Sequence, residues 1–283
     1  MKCIFCKKNS ADSKSIEHII PESLGNKEHV LEKGVVCDNC NQYFATKIEK
    51  PLLDTIYFKH VRHCNDIESK KRKIPKIDGV IGGRVEVGRD RYGDSFIEIP
   101  NEKIMDGIVS GRIKHMIIPK IDDPIPNDII MSRFLAKIAI EILTLRFYPY
   151  EGWDKEIVEK NELDLIRNYA RYGERPKFWE YHQRRIYEET DRFYNPLYSD
   201  IPYEVLHELD VQYLYEGQLF LILVIMGIEY VINYTNPEII DYKKWLLENG
   251  QISPVEINET RKLIRSNEDY QWINRNMNFF KKK

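Results

Sequence analysis

From residue 128 onward the apolar positions fall into step. Ile129, Ile130, Phe134, Leu135, Ile138, Ala139, Ile142, Leu143 and Leu145 recur at the 3.6-residue period of a helix face, which predicts a core helix. Residues 39–56 carry Tyr43, Phe44, Ile48 and Leu52 near the same spacing, with Pro51 expected to end or kink that helix. Residues 80–99 alternate as strands do, with Gly82-Gly83 and Arg91-Tyr92-Gly93-Asp94 as turn signals, so a hairpin is expected there, followed by a further strand over 104–118. Residues 154–169 and 178–189 read as helices flanked by Trp153, Trp179 and several tyrosines. Residues 207–215 and 219–234 read as a strand pair about Glu216-Gly217, the second run fitting a helix as well. Before Val35 there is little periodicity and many turn formers, among them Asn9-Ser10 and Gly25-Asn26. The fold class predicted is α+β, with no internal repeat and no low-complexity tract.

Charge divides the chain. Residues 1–76 hold 15 Lys and Arg against 10 Asp and Glu, a net of +5, leaving −7 for the remainder of a protein whose total is −2. A basic module facing a polyanion is the expectation, although a field of that size decides nothing alone. Lys70, Lys71, Arg72, Lys73 and Lys76, with Pro75, resemble a linker, so the domain division is expected there: a module over 1–76 and a mixed α+β domain over 77–283, serving dimerisation, target recognition or regulation. The basic run itself reads equally as a phosphate track or a solvated linker. Met1-Lys2-Cys3 leads into polar sequence with no apolar signal region, so a cytoplasmic location is expected. The longest apolar run, residues 219–228, is about half of the ~20 residues a membrane span requires.

Five cysteines in a reducing compartment point to metal or thiol chemistry rather than disulfides. Four of them stand in two Cys-x-x-Cys pairs, Cys3 with Cys6 and Cys37 with Cys40, separated by 30 residues. Each such turn presents two thiolates to one metal edge, and four sulfurs close a tetrahedral shell, so a structural zinc is expected, with iron–sulfur ligation as the other chemistry the pattern admits. Cys64, beside His63, is expected to be a buried thiol.

Between the pairs stands Glu17-His18-Ile19-Ile20-Pro21-Glu22-Ser23-Leu24-Gly25-Asn26, and the second pair runs Val36-Cys37-Asp38-Asn39-Cys40-Asn41-Gln42-Tyr43-Phe44. Over residues 3–54 this resembles the HNH, or ββα-metal, endonuclease superfamily in its four-cysteine branch. The resemblance implies a hairpin and a helix gripping one catalytic ion, Mg²⁺ or Mn²⁺, with zinc holding the two in register. It implies that His18 is the general base, that Glu17 is the acidic metal ligand and that Asn41 completes the metal site. The middle Asn of the family usually precedes the second cysteine pair, where this chain reads Leu31-Glu32-Lys33-Gly34; Asn26 is the candidate to replace it, against its plainer reading as a turn residue. Neighbours on a regular strand point to opposite faces, so Glu17 and His18 can share a site only if the backbone there is irregular.

Lys14, Lys47 and Lys50 lie close in sequence to these residues and are expected to meet the nucleic-acid backbone. Glu49 is expected to face solvent, and the other six histidines to be structural. Arg167, Arg171, Arg175, Lys177, Arg184 and Arg185, interleaved with tyrosines and Trp179, fit either a base-stacking surface or a helix pair with inward aromatics, the second being preferred. The resulting expectation is an endonuclease cutting double-stranded DNA as a homodimer, in restriction or phage defence by analogy of build. The alternative is a zinc-ribbon module that binds nucleic acid or protein without catalysis.

Overall fold

The structure is a computed structural model. It describes residues 1–256 and 262–264, apart from 70, 91–93, 100, 190, 196, 198–200, 204–205 and 215–216. The expected turn tips at Arg91-Tyr92-Gly93 and at Glu216, and Lys70 of the basic run, lie outside the described residues. Two compact units divide the chain, Met1–Phe178 and Trp179–Lys283, so residue 76 falls inside the first unit.

The first unit begins with the Cys3–Cys6 turn and a minimal antiparallel hairpin, β1 (Glu17–His18) with β2 (Val30–Leu31), paired Glu17 to Leu31 and His18 to Val30. Then come α1 (Asp38–Phe44), a π-turn over Ala45–Glu49 and α2 (Lys50–Leu53). The helical rod expected over 39–56 is therefore present but wound unevenly. Pro51 has no N–H and its ring crowds the carbonyl of residue 47; the π-turn widens the backbone just before it, and Pro51 sits in the first turn of α2, where no N–H is needed. Phe44, Ile48 and Leu52 face inward, as their spacing predicts. A separate helix, α3 (Ile56–Cys64), follows and buries Tyr57, Phe58, His60, Val61, Arg62 and His63.

The alternating stretch forms a three-stranded antiparallel meander, β3 (Ile77–Val80), β4 (Arg84–Arg89) and β5 (Ser95–Glu98). The strand expected over 104–118 is corrected: α4 (Glu102–Val109) occupies its start, because Asn101 caps it by accepting from Lys103 N at 2.8 Å, and only the Val80–Ile117 bridge survives as pairing. The periodic run after Asp128 is α5 (Ile129–Phe147), capped by Asp128 accepting from Met131 N at 2.8 Å. It is buried almost all round and packs on β2, the π-turn, α2, α6 (Trp153–Ile157) and α7 (Asp164–Tyr172). The helix read over 154–169 is thus two helices.

The second unit centres on a four-stranded antiparallel sheet in the order β6-β10-β9-β8. These strands are β6 (Tyr181–Arg185), β8 (His207–Tyr213), β9 (Leu219–Ile225) and β10 (Ile228–Asn233), while β7 (Arg192–Tyr194) pairs with β11 (Lys262–Ile264). The ambiguous run 219–234 is resolved as a hairpin whose two-residue turn, Met226-Gly227, has positive φ at both positions, as the twist of paired strands favours. The helix read over 178–189 is corrected to strand β6, which satisfies the open edge of β10 from Ile228–Arg185 to Ile232–Tyr181. Helix α8 (Ile240–Glu248) lays Tyr242 and Leu246 on Phe220, Ile222 and Val231 of the sheet.

Gly227 is required twice over. Its φ is +79°, and a Cβ there would lie 2.2 Å from the carbonyl oxygen of Tyr187, which is backbone and cannot swing away. Gly227→Ala should therefore destabilise the protein by about 1–3 kcal/mol. Urea unfolding checks this; a midpoint equal to that of the wild type would contradict it.

Candidate functional site

The N-terminal end is organised around sulfur. Backbone bonds from Cys3 N to Lys8 O and from Lys7 N to Cys3 O, both 2.9 Å, close the first Cys-x-x-Cys turn, with Lys7 at φ 57°. The second pair straddles the start of α1, Cys37 being its cap residue and Cys40 lying one turn inside. The sulfurs of Cys3, Cys6, Cys37 and Cys40 all lie within 4.8 Å of one another, Cys6 and Cys37 at 3.6 Å. With Zn–S bonds of about 2.3 Å, a tetrahedral shell needs sulfur separations of about 3.8 Å, so the cluster fits zinc with little adjustment. The thiols already compete for protons: the hydrogen bond with Cys40 foremost draws Cys3 down to about 5, while Cys40 is pushed far up by that same contact and burial raises Cys6. Cys64 is outside the cluster and exposed, which corrects the expectation of a buried thiol.

Helix α7 braces this centre. Arg171 Nε donates to Cys40 Sγ at 3.3 Å while its guanidinium lies 3.8 Å from the ring centre of Tyr43, and buried Arg167 donates to the Ile4 carbonyl oxygen at 2.6 Å. Four thiolates around Zn²⁺ carry a net double negative charge, which two arginines at this position offset. The arginines and aromatics of this region were expected to form a helix pair. In the structure Tyr169, Trp179, Tyr181 and Tyr187 do turn inward, Arg167 pairs with Asp164, and Arg184 pairs with Glu229 across the β6–β10 ladder.

Beside the cysteines opens a cleft of about 370 Å³, lined among others by Glu17, His18, Asn41, Glu49, Lys50, Asp54, Arg62 and Lys71. Glu17 and His18 do share it. Their strand is only two residues long and bends away at once into the 3-10 turn Glu22–Leu24, which supplies the irregular backbone that the sequence demands. The Glu17 side chain is buried; its Oε2 accepts from Asn41 Nδ2 at 2.8 Å, tying β1 to α1. The His18 ring is half-buried, and its Nδ1 is buried without a hydrogen-bond partner among the described residues. None of the other six histidines lines the cleft.

Asn26 lies behind the cleft rather than in it. Its buried amide donates to the carbonyl oxygens of Ile20 at 2.7 Å and His29 at 3.0 Å, and accepts from Glu28 N at 3.1 Å and His29 N at 3.0 Å. All four bonds lie within the loop that joins β1 to β2, so one side chain cinches the segment that carries His18. Of the three lysines singled out, Lys50 lines the cleft, whereas Lys14 and Lys47 are exposed outside it.

Sequence reasoning missed Lys137. It projects from α5, fully buried, and its Nζ lies 2.8 Å from Glu17 Oε1, 2.9 Å from Glu49 Oε1 and 3.0 Å from Glu141 Oε2. The same ammonium reaches the carbonyl oxygens of His18 and Ile19 at 3.4 Å. Burial pulls its pKa down, but Glu141, Glu17 and Glu49 together hold it well above the ordinary lysine value; burial likewise raises Glu141 well above the ordinary carboxylate range. Glu49 therefore faces this ammonium and the cleft, which corrects its reading as a solvent-facing residue. Lys137 and Glu141 interrupt the apolar run of residues 134–143 at i and i+4, and that pairing inside a buried run was the available signal.

A module whose four cysteines suit zinc, whose hairpin and helix frame one cleft, and whose cleft gathers Glu, His and Asn belongs to the class of zinc-organised ββα sites. Residues 3–56 match the family model described as HNH endonuclease. No curated protein and no solved structure matches the chain significantly. The match covers this segment alone; α3 after its first residue, α5 and everything beyond lie outside it. Among the described residues no helix is long and apolar enough to cross a membrane.

Two outcomes follow. Elemental analysis should find one zinc per chain and none in Cys40→Ser, with a lower melting temperature in the variant. Lys137→Met, which leaves three carboxylates facing one another without a counter-ion, should lose about 3–5 kcal/mol of stability, whereas Glu141→Gln should lose clearly less. Chemical unfolding measures both, and equal losses would show that the ammonium is not the centre of the network.

Proposed function

We propose that the chain is a metal-dependent endonuclease that hydrolyses phosphodiester bonds, with DNA as substrate. The observation that supports this reading above the others is the convergence of Glu17, His18 and Asn41 on one cleft, with Glu17 and Asn41 in direct contact. Hard divalent ions take oxygen ligands, and the Glu17 carboxylate, the Asn41 amide and the nearby Glu49 carboxylate offer that donor class. Glu17 and Asn41 are the residues proposed to hold Mg²⁺ or Mn²⁺; such an ion neutralises charge on the phosphate as the bond breaks. His18 takes the proton from the attacking water, a task suited to an imidazole with no competing protein hydrogen bond at Nδ1. Asn26 is a positioning residue, holding the loop that aims His18. Lys14 and Lys47 are proposed contacts for the nucleic-acid backbone outside the cleft, and Lys50 at it.

A homodimer cutting both strands, a cytoplasmic location and a place in restriction or phage defence belong to the same proposal. Its nuclease module is residues 1–76 completed by α5, with the rest serving dimerisation, target recognition or regulation. One observation favours the second reading, a non-catalytic zinc-ribbon binder: both Glu17 oxygens are already engaged, by Lys137 and by Asn41. The cluster nevertheless sets three carboxylates around a single ammonium, which leaves negative charge for a further cation.

Supercoiled plasmid incubated with the protein and Mg²⁺ or Mn²⁺ separates the two readings. Nicking is expected from wild type, and His18→Ala should be slower by about 10²–10⁴-fold with its zinc retained. Equal inactivity of both proteins, with a preserved gel shift, would establish the binder instead.

A further inference from the structure

Arg62 is a buried cation in the cleft lining to which the reading above gives no task. It comes from α3, beyond the segment matched to the nuclease family, and it is only 7% exposed although it lines the cleft. Among the described residues its side chain makes no hydrogen bond or ion pair, and its Nε is buried without a partner. The opposite charge acting on it is that of Asp54, which opposes the downward pull of burial on the guanidinium. The other arginine buried among the described residues, Arg167, is engaged with Asp164 and the Ile4 carbonyl oxygen.

Burying a cation without a partner is costly, and native proteins pair such groups or reserve them for a ligand. A guanidinium presents parallel N–H donors whose spacing matches two oxygens of a phosphate. Lys50 and Lys71, both exposed, line the same cleft and add diffuse positive charge around it. We propose that Arg62 forms a phosphate subsite, donating to the non-bridging oxygens of a backbone phosphodiester that enters the cleft beside Glu17 and His18. The subsite rests on the nucleic-acid reading but not on catalysis, since it requires only that a strand lie in the cleft. It assigns α3 a part in substrate binding. It also divides the cleft chemically: Glu17, Glu49 and Asn41 offer oxygen to a cation, and Arg62 offers N–H to an anion.

The test is fluorescence anisotropy of a short labelled DNA duplex without added divalent ion, over a range of salt concentrations, for wild type, Arg62→Gln and Arg62→Lys. Loss of one phosphate contact lowers the slope of log K against log salt by about 0.9. Arg62→Gln should show that drop and bind about tenfold more weakly, and Arg62→Lys should keep the slope. In the wild-type protein the Arg62 Nε–H resonance should move when duplex is added, a readout that stands even if Arg62→Gln does not fold. An unchanged slope in Arg62→Gln, an unmoved resonance in wild type, or no binding of duplex by wild type overturns the subsite. If plasmid is nicked while the slope stays unchanged, Arg62 alone loses its role. A slope lost in Arg62→Gln without any nicking by wild type keeps the subsite and removes the nuclease reading.

Discussion

The ammonium of Lys137 joins parts of the first unit that the sequence keeps far apart. It is contributed by α5, yet it touches Glu17 on the hairpin, Glu49 in the π-turn and the carbonyl oxygens of His18 and Ile19. A charge buried this deeply persists only when several opposite charges and dipoles surround it, so the hairpin, the helical rod and α5 must be in place together. From the other side the four-cysteine cluster fixes the first loop to the start of α1. Between these two anchors the Glu17–Asn41 contact has little freedom, and the cleft inherits its shape from both.

The N-terminal chemistry was legible because its signals are local. Two Cys-x-x-Cys turns need only short-range geometry to present their sulfurs, and Glu17, His18 and Asn41, singled out by the family resemblance, lie within one short module that brings them to one cleft. The bonding of Asn26 was legible only in part. Gly25-Asn26 reads as a turn in any sequence, and only the four hydrogen bonds made by the Asn26 side chain distinguish a cinch from a bend. The long helix after Asp128 and the meander after residue 76 were legible from period and alternation.

What failed did so for non-local reasons. Residues 178–189 hold a composition that suits a helix as well as a strand, and the unpaired edge of β10 decided between them. The strand expected over 104–118 lost its start to α4, which the Asn101 cap holds as helix. Lys137 and Arg62 are single residues without a motif. Each has meaning only through where the fold buries it: Lys137 among carboxylates 88 to 120 positions away or one turn away, Arg62 in the lining of a cleft built by earlier elements.

The charges of the cleft are consistent with the chemistry that its residue types require. A phosphodiester is an anion, and a divalent ion that assists its cleavage is a cation, so a site handling both cannot carry one sign throughout. An all-basic cleft would bind the backbone and repel the metal; an all-acidic one would do the reverse. Here carboxylates come from β1 and the π-turn, a guanidinium from α3 and ammonium groups from the surrounding lysines, and Lys137 opposes the charge of Glu17 and Glu49. Because Arg62 and Lys137 both lie outside residues 3–56, part of the positive charge at the site is supplied by structure around the matched segment.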